Sequence, residues 1–385
     1  MPIITFEDDV SGNISNQWNI HYSMLWSCLG LPRKELEKMI NVNFATTSQH
    51  ASPMELMKAV MDMLIEAQEN PWKVWDCNRK QHILVIPWLA FASGDNPMQS
   101  EFCSHIGLNA NQKCRVCHVG GPEKDMLTEM GYLSLFEPQR PRDPKETLEV
   151  IKRLVELAMF PGGEKKMKEL MTLAGVKDTL SHALVTRLIE LGKSLKGKPH
   201  AEVQQLLKEE AAYHDWENLH NILLDLKGFN VHASTPVEPL HTILLGIVKY
   251  FWTNTMWHVE DQKTIAEFRA RLKSLNEQGL KLPKLNGDYM IRFKGGLVGK
   301  HFKIMTHIMS FVTHGLVPDH VYNAWVILGR LVVQLWHTDI ADIDSYVVRT
   351  GCLLTRACLS SPFYRQNSKK PSTKPLMPWL PALPS

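Results

Sequence analysis

The sequence predicts an α/β (α+β) protein: a core of short strands, a long helical insertion within it, and a helical C-terminal part. Three observations predict this. Short β-branched and apolar runs separated by turn residues recur up to residue 121. Leucine and isoleucine at helical spacing then dominate residues 122–231. Apolar positions at the same spacing return after residue 232, and no internal repeat is visible.

The elements follow in order. Pro2-Ile3-Ile4-Thr5-Phe6 reads as a short strand that runs into Glu7-Asp8-Asp9 and a turn at Ser11-Gly12-Asn13, which puts carboxylates at the strand's C-terminal end. Val42 to Thr46 reads as a second strand. Ser52-Pro53-Met54-Glu55 opens a helix, with Ser as N-cap, Pro at the first helical position and Met54, Met57, Met61 and Leu64 on one face. Trp72 to Cys77 and Ile83 to Ala92 read as two strands around the polar turn Asn78-Arg79-Lys80. Ser93-Gly94-Asp95-Asn96-Pro97 ends the second of them, and the proline starts a helix that carries Glu101 to Ile106. Cys114-Arg115-Val116-Cys117-His118 follows in a loop.

Leu148, Ile151, Leu154 and Leu157, then Leu180, Leu184, Leu188 and Leu191, mark the helical insertion. A further helix is expected from Pro236 to about Trp257, a loop-rich stretch from Gly279 to Gly299, and an amphipathic helix from Asn323 to Trp336. The expected divisions are 1–121, 122–231, 232–350 and a disordered Pro/Ser/Lys-rich tail over 351–385.

Composition narrows the classes. At 385 residues the chain suggests two domains, or one with a large insertion, and its 44% hydrophobic and 22% charged residues are those of a chain that buries a core. A net charge of +3 excludes a polycationic coat for nucleic acid but leaves room for a local basic face, for which Lys165, Lys166, Lys168, Lys193, Lys196 and Lys198 are candidates; a solvated helix surface explains them equally. The acidic start has no secretory character, and the longest apolar runs, such as Leu84 to Ala92, fall far short of the ~20 residues that span a bilayer. Seven cysteines do not read as a disulfide framework. An intracellular protein without a membrane partner is expected.

Asp8 and Asp9 at the end of one strand, and Asp95 at the end of a later one, converge if the two strands are neighbours in one sheet. Clustered carboxylates repel unless a hard cation neutralises them, so the cluster suits Mg²⁺ or Mn²⁺. Two such ions about 3.5–4 Å apart activate water or a 3′-hydroxyl and stabilise the leaving oxygen of a phosphodiester. An RNase H-like nuclease or transposase core uses this geometry and needs a third carboxylate on a later helix, for which Glu238 in Thr235-Pro236-Val237-Glu238 is the candidate. Each acid also has a plain reading: a turn for Asp8 and Asp9, a helix cap for Asp95, a first-turn glutamate for Glu238.

Cys114-x-x-Cys117 is half a zinc site, and His105, His118, His232 and His241 are candidates for the remainder; free thiols or a redox pair are the alternatives. Cys28, Cys77, Cys103, Cys352 and Cys358 are isolated and read as core or incidental thiols. No P-loop, Gly-x-Gly-x-x-Gly after a strand, His-Glu-x-x-His or Gly-x-Ser-x-Gly motif is present, so nucleotide hydrolysis, dinucleotide redox and serine-hydrolase chemistry lack support.

Three blocks together carry a resemblance. The first is Asp8-Asp9-Val10-Ser11-Gly12-Asn13-x-Ser15-x-Gln17-Trp18-Asn19-x-His21. The second is Gly94-Asp95-Asn96-Pro97-Met98-Gln99-Ser100-Glu101-x-x-Ser104-His105-Ile106-Gly107-Leu108, continuing to Cys114-Arg115-x-Cys117. The third runs from Thr235-Pro236-Val237-Glu238-x-Leu240-His241 to Trp252. In this order they resemble the CACTA-like transposases of basidiomycete fungi, the Plavaka group, over most of residues 1–350. The resemblance implies an RNase H-like DDE/D transposase that cuts element ends and joins them to target DNA. It implies metal-binding roles for one of Asp8 and Asp9, for Asp95 and for Glu238, with Glu260 as another candidate for the third acid. It further implies a structural Zn²⁺ on Cys114 and Cys117, with His241 and, as a weaker fourth, His105. DNA (transposon ends and target) is the implied partner, a homo-oligomer a further one, and the nucleus the implied location. The family's N-terminal zinc-finger-like region has no counterpart here, and the Pro/Ser/Lys tail departs from the family's continuation. A decayed or truncated copy, or a non-catalytic transposase-derived DNA- or protein-binding module, is the rival reading.

Overall fold

The computed structural model describes residues 1–11, 20–137, 139–276, 284–337 and 339–359, the side chains of residues 11 and 352–359 excepted. It divides into two compact units, Met1–Glu238 and the residues from Pro239 onward.

In the first unit β1 (Pro2–Ser11), β2 (Ile20–Cys28), β3 (Asn43–Ser48) and β6 (Trp88–Gly94) form a four-stranded sheet in the order β3-β2-β1-β6, while β4 (Trp72–Asp76) and β5 (Gln81–Val85) form a separate hairpin. β1 is antiparallel to β2, and β2 to β3, but β6 lies parallel to β1. Mixed α/β architecture is thus present.

The first strand is longer than its apolar start predicts. Pairing with β2 continues to Ser11↔Ile20, so Asp8 and Asp9 lie inside the ladder opposite Ser23 and Tyr22 rather than in a turn. The ladder is made by backbone N–H and C=O groups, which a carboxylate side chain leaves intact. The apolar run Ile83 to Ala92 is two strands, not one. Pro87 has no N–H to donate, and the chain changes partners there: β5 ends at Val85 on β4, and the Trp88 N–H begins a new pairing by donating to the Met1 carbonyl.

Helix α1 (Pro53–Glu69) starts as its sequence predicts. The Ser52 hydroxyl accepts from the Glu55 N–H, the Glu55 carboxylate accepts from the Ser52 N–H, and Met54, Met57, Met61 and Leu64 are buried. Each such side chain contributes roughly 1.5–3 kcal/mol of apolar burial. The next helix, α2 (Asn96–Phe102), is shorter than expected, because Ser104 just beyond it takes a left-handed φ of 48° that an α-helix cannot continue through.

Residues 122–231 form helices and turns, the longer helices being α3 (Pro144–Ala158), α4 (Glu164–Ala174), α5 (Thr179–Ser194) and α6 (His200–Tyr213). Their leucine stripes meet in one buried cluster that includes Leu154, Leu184, Leu188 and Leu207. A second cluster lies between the sheet, α1 and α2, where Ile3, Met24, Met57, Leu89 and Phe102 are buried.

In the second unit the helix expected from Pro236 begins at Leu240. Its first turns, Leu240–Val248, have π-helical winding and run into α7 (Lys249–Asp261). Thr235 and Glu238 each precede a proline, which disfavours helical backbone at both, so Glu238 stands before the helix and not in its first turn. The stretch expected to be a loop contains a short helix, Gly287–Arg292, with residues 277–283 of it outside the described residues. It is followed by α8 (Gly299–Val312) and α9 (Asp319–Leu335). Trp252, Phe268, Phe302 and Trp325 form the centre of this core, and the Trp325 indole N–H donates to Thr255 Oγ1 at 2.8 Å. A last helix, Ile343–Leu359, occupies the start of the tail expected to be disordered, whose remainder lies outside the described residues.

Candidate functional site

The parallel register of β1 and β6 decides the site. Glu7 is paired with Gly94, so Asp8 and Asp95 follow at the same level on neighbouring strands, at the carboxyl end of β6 where ligands of such sheets collect. Gly94 is required there. A Cβ would come within 2.7 Å of Met98 Cγ and 2.9 Å of the Glu7 carbonyl oxygen, so a larger residue would force β6 away from β1 or from α2. Asp95 is the N-cap of α2: its Oδ1 accepts from the Met98 N–H at 2.8 Å, which leaves Oδ2 for a cation.

Asp8 is half-buried and accepts from the Asp9 N–H at 2.9 Å, and Asp9 is exposed. Consecutive strand residues face opposite sides of a sheet, so only one of the two shares a face with any given partner. The Gly12 to Asn19 portion of the first sequence block lies outside the described residues.

Glu238 is half-buried at the end of the first unit. The chain leading to it runs beside β6: Ala92 N–H donates to the Ser234 carbonyl at 3.0 Å, and the buried Gln99 amide donates to the Gly94 and Pro236 carbonyls at 2.9 and 2.7 Å. The structure therefore brings Asp8 and Asp95 to adjoining positions and leads the Glu238 segment along the same strand. Among the described residues, no three His, Cys, Asp or Glu side chains gather closely enough to hold a metal ion. The other candidate for the third acid, Glu260, sits on α7 in the second unit and pairs with Lys294.

Two further acids escaped the sequence reading. Glu7 is completely buried, and burial, with the Glu101 charge adding to it, pushes its carboxyl up to about 9. Burial also raises Glu101, against the Thr179 hydroxyl and the Lys177 charge. The signal missed was alternation: Ile3, Thr5 and Glu7 share the buried face of β1, which places a glutamate where the pattern calls for an apolar residue.

The cysteine loop lies against the same helix. Cys114 and Cys117 are neighbours, and burial raises the Cys117 thiol with Cys114 adding to the effect. The loop is organised by Arg142, whose guanidinium donates to the carbonyls of Cys114 (2.8 Å), Ala174 (2.9 Å) and Gln112 (3.2 Å). Arg115 ties it to α2 through Asn96 and Gln99. Cys103, read from sequence as a core or incidental thiol, is a core one, buried beside Thr235 and pushed up to about 11 by that burial.

His105 has both ring nitrogens committed: Nε2 donates to the Gln112 carbonyl at 2.9 Å and Nδ1 accepts from the Gly107 N–H at 3.0 Å. It holds a loop, and a metal would have to break these bonds to use it. His232 is likewise engaged by the Arg115 carbonyl and Thr147 Oγ1, and His118 by Gln112 and Arg140. His241 belongs to the second unit, in the π-wound turns.

Half or more of the helical lysines are paired. Lys168 and Lys193 both hold Glu164, at 2.7 and 2.8 Å, Lys198 holds Glu202 at 2.6 Å, and Lys165 lies 4.0 Å from Glu169. These pairs make ordinary solvated helix surface, each contributing little.

No helix among the described residues is long and apolar enough to cross a membrane. Compared with known proteins, the chain matches no family model and no curated protein.

Proposed function

We propose that the chain is the catalytic core of a DDE/D-type DNA transposase, cleaving phosphodiesters and transferring strands with a divalent metal. One observation carries the reading: Asp8 and Asp95 stand at the same level on parallel neighbours β1 and β6, as the sequence blocks require. The antiparallel meander β3-β2-β1 with a parallel strand returned beside β1 fits an RNase H-like core.

The donors fit the ion. They are carboxylate oxygens on rigid backbone, suited to Mg²⁺ or Mn²⁺, and Asp95 keeps one oxygen for a ligand. Asp8 or Asp9 with Asp95 would hold it, with Glu238 as the third acid. A metal there supplies Lewis-acid activation of water and then of the freed 3′-hydroxyl. Cys114 and Cys117 suit a structural Zn²⁺, and the His105 ring is already committed to its own loop. DNA is the proposed substrate, a homo-oligomer the proposed assembly and the nucleus the proposed site of action.

A binding-only module of the same descent is the second reading, favoured by the absence of a three-acid cluster among the described residues. Nicking of supercoiled plasmid in Mn²⁺ by the full chain, compared with Asp95→Asn, separates the two. Nicking that Asp95→Asn abolishes supports the transposase core. DNA binding of equal strength in both proteins, with no nicking in either, overturns it in favour of the module.

A further inference from the structure

We propose that Glu7 and Glu101 form a second cation site, buried between β1 and α2 and distinct from the Asp8–Asp95 edge, that takes a hard divalent ion. Glu7 has 0% exposure, and neither of its carboxylate oxygens has a hydrogen-bond partner. Glu101 Oε1 is also buried and unpartnered, while its carboxylate takes the Thr179 hydroxyl. Thr5, two residues before Glu7 on the same face, adds another buried hydroxyl without a partner.

Buried polar groups are almost always satisfied, and four such atoms on one side of one strand call for an occupant. A proton on Glu7 shared with Glu101 is the rival occupant, and a wild type that binds no Mn²⁺ decides for it. A cationic side chain does not meet the need. Lys177 acts on Glu101, whereas the charge that acts on Glu7 is that of Glu101 itself. The donors are all carboxylate or hydroxyl oxygens, which select Mg²⁺, Mn²⁺ or Ca²⁺ over the softer metals. A cation here would tie β1 to α2, the helix capped by Asp95, and would do so whether or not the chain cleaves DNA.

The test is a Mn²⁺ titration followed by electron paramagnetic resonance on the full chain, the wild type against Glu7→Gln, Glu101→Gln and Asp95→Asn, each checked for folding by circular dichroism. Loss of one Mn²⁺ equivalent, or at least tenfold weaker binding, is expected in Glu7→Gln and in Glu101→Gln, with that equivalent kept in Asp95→Asn. Unchanged stoichiometry and affinity in folded Glu7→Gln would overturn the proposal, as would a wild type that binds no Mn²⁺. If Glu7→Gln does not fold, Glu101→Gln at the half-exposed position decides in the same way. Binding lost only in Asp95→Asn overturns this site while supporting the transposase edge; binding lost only in the glutamate variants supports this site and counts against that edge.

Discussion

Glu7 on β1 is paired with Gly94 on β6 across a parallel ladder, so Asp8 and Asp95 leave neighbouring strands at the same level. Parallel neighbours bring their carboxyl ends to one edge, whereas the carboxyl ends of an antiparallel pair lie at opposite ends of the sheet. The separation of these residues in sequence is bridged by α1 and the β4–β5 hairpin, which return the chain to the far side of β1.

Asp95 caps α2 and, on the proposed function, also holds the metal, and substitution can separate the two. Asp95→Asn keeps an N-cap oxygen and removes the charge, so stability should stay within about 0.5 kcal/mol while metal-dependent nicking falls by at least about 100-fold. Asp95→Ala loses the cap as well and should cost about 1 kcal/mol. Urea denaturation of both variants beside the nicking assay measures the difference. Equal nicking by wild type and Asp95→Asn would remove Asp95 from the chemistry.

Gly94→Ala should destabilise the first unit by about 1–3 kcal/mol, because the added methyl meets Met98 and the Glu7 carbonyl where no space exists. Thermal melts give the size of the effect. A neutral substitution would mean that α2 packs less closely on β1 than the structure has it.

Asn221 holds the end of α2. Its buried amide donates to the Phe102 carbonyl at 2.6 Å and to Ser104 Oγ at 3.0 Å, and its Oδ1 accepts from the Leu223 N–H at 2.9 Å. Asn221→Ala strands three polar groups away from water and should cost about 2–4 kcal/mol by denaturant unfolding. Asn221→Asp is expected to be no better, since a carboxylate cannot donate to the Phe102 carbonyl.

Two buried histidines should weaken the first unit as pH falls below neutrality. Burial pushes His105 and His232 down to about 4, with the nearby Arg142 charge adding to the effect in both. The unfolded chain protonates these rings near 6.5, the folded one only near 4, so the unfolded state binds more protons in between. Their contribution is complete above pH 6.5 and is lost as pH falls toward 4. Buried acids with raised values, Glu7 and Asp178, act in the opposite sense over this range, so the histidine contribution is read as a difference. The change in urea midpoint from pH 7.5 to 4.5 should be less unfavourable in His105→Gln than in the wild type, and an identical change in the two proteins would count against a buried neutral His105 ring.

Local chemistry was legible in the sequence wherever the determinant was local. Ser52, Pro53 and Glu55 specify the start of α1 with their own side chains and the proline ring, and the leucine spacings of residues 148–191 specify helices because a 3.6-residue period admits one buried face. The acids Asp8 and Asp95 stood out because each follows an apolar run. What stayed hidden were features made by other parts of the chain: β2, whose partner on one side is β1; the division of the run from Ile83 to Ala92 between two sheets; and Glu7, whose meaning depends on what covers its face of the strand.

The histidines show the same limit at a single residue. By residue type alone, His105, His118, His232 and His241 are all candidates beside a pair of cysteines, and the family resemblance ranks His241 first and His105 as a weaker fourth. Tertiary structure distinguishes them by what each ring already holds, and His105 spends both nitrogens on backbone groups of its own loop. The sequence by itself determined the mixed α/β class and the helices of residues 144–213, since these follow from periodicity and capping. Which carboxylates face one another, and which lie buried without a partner, was decided only by the strand register and the packing of α2. These are sums over contacts between residues far apart in the chain, and no local pattern encodes them.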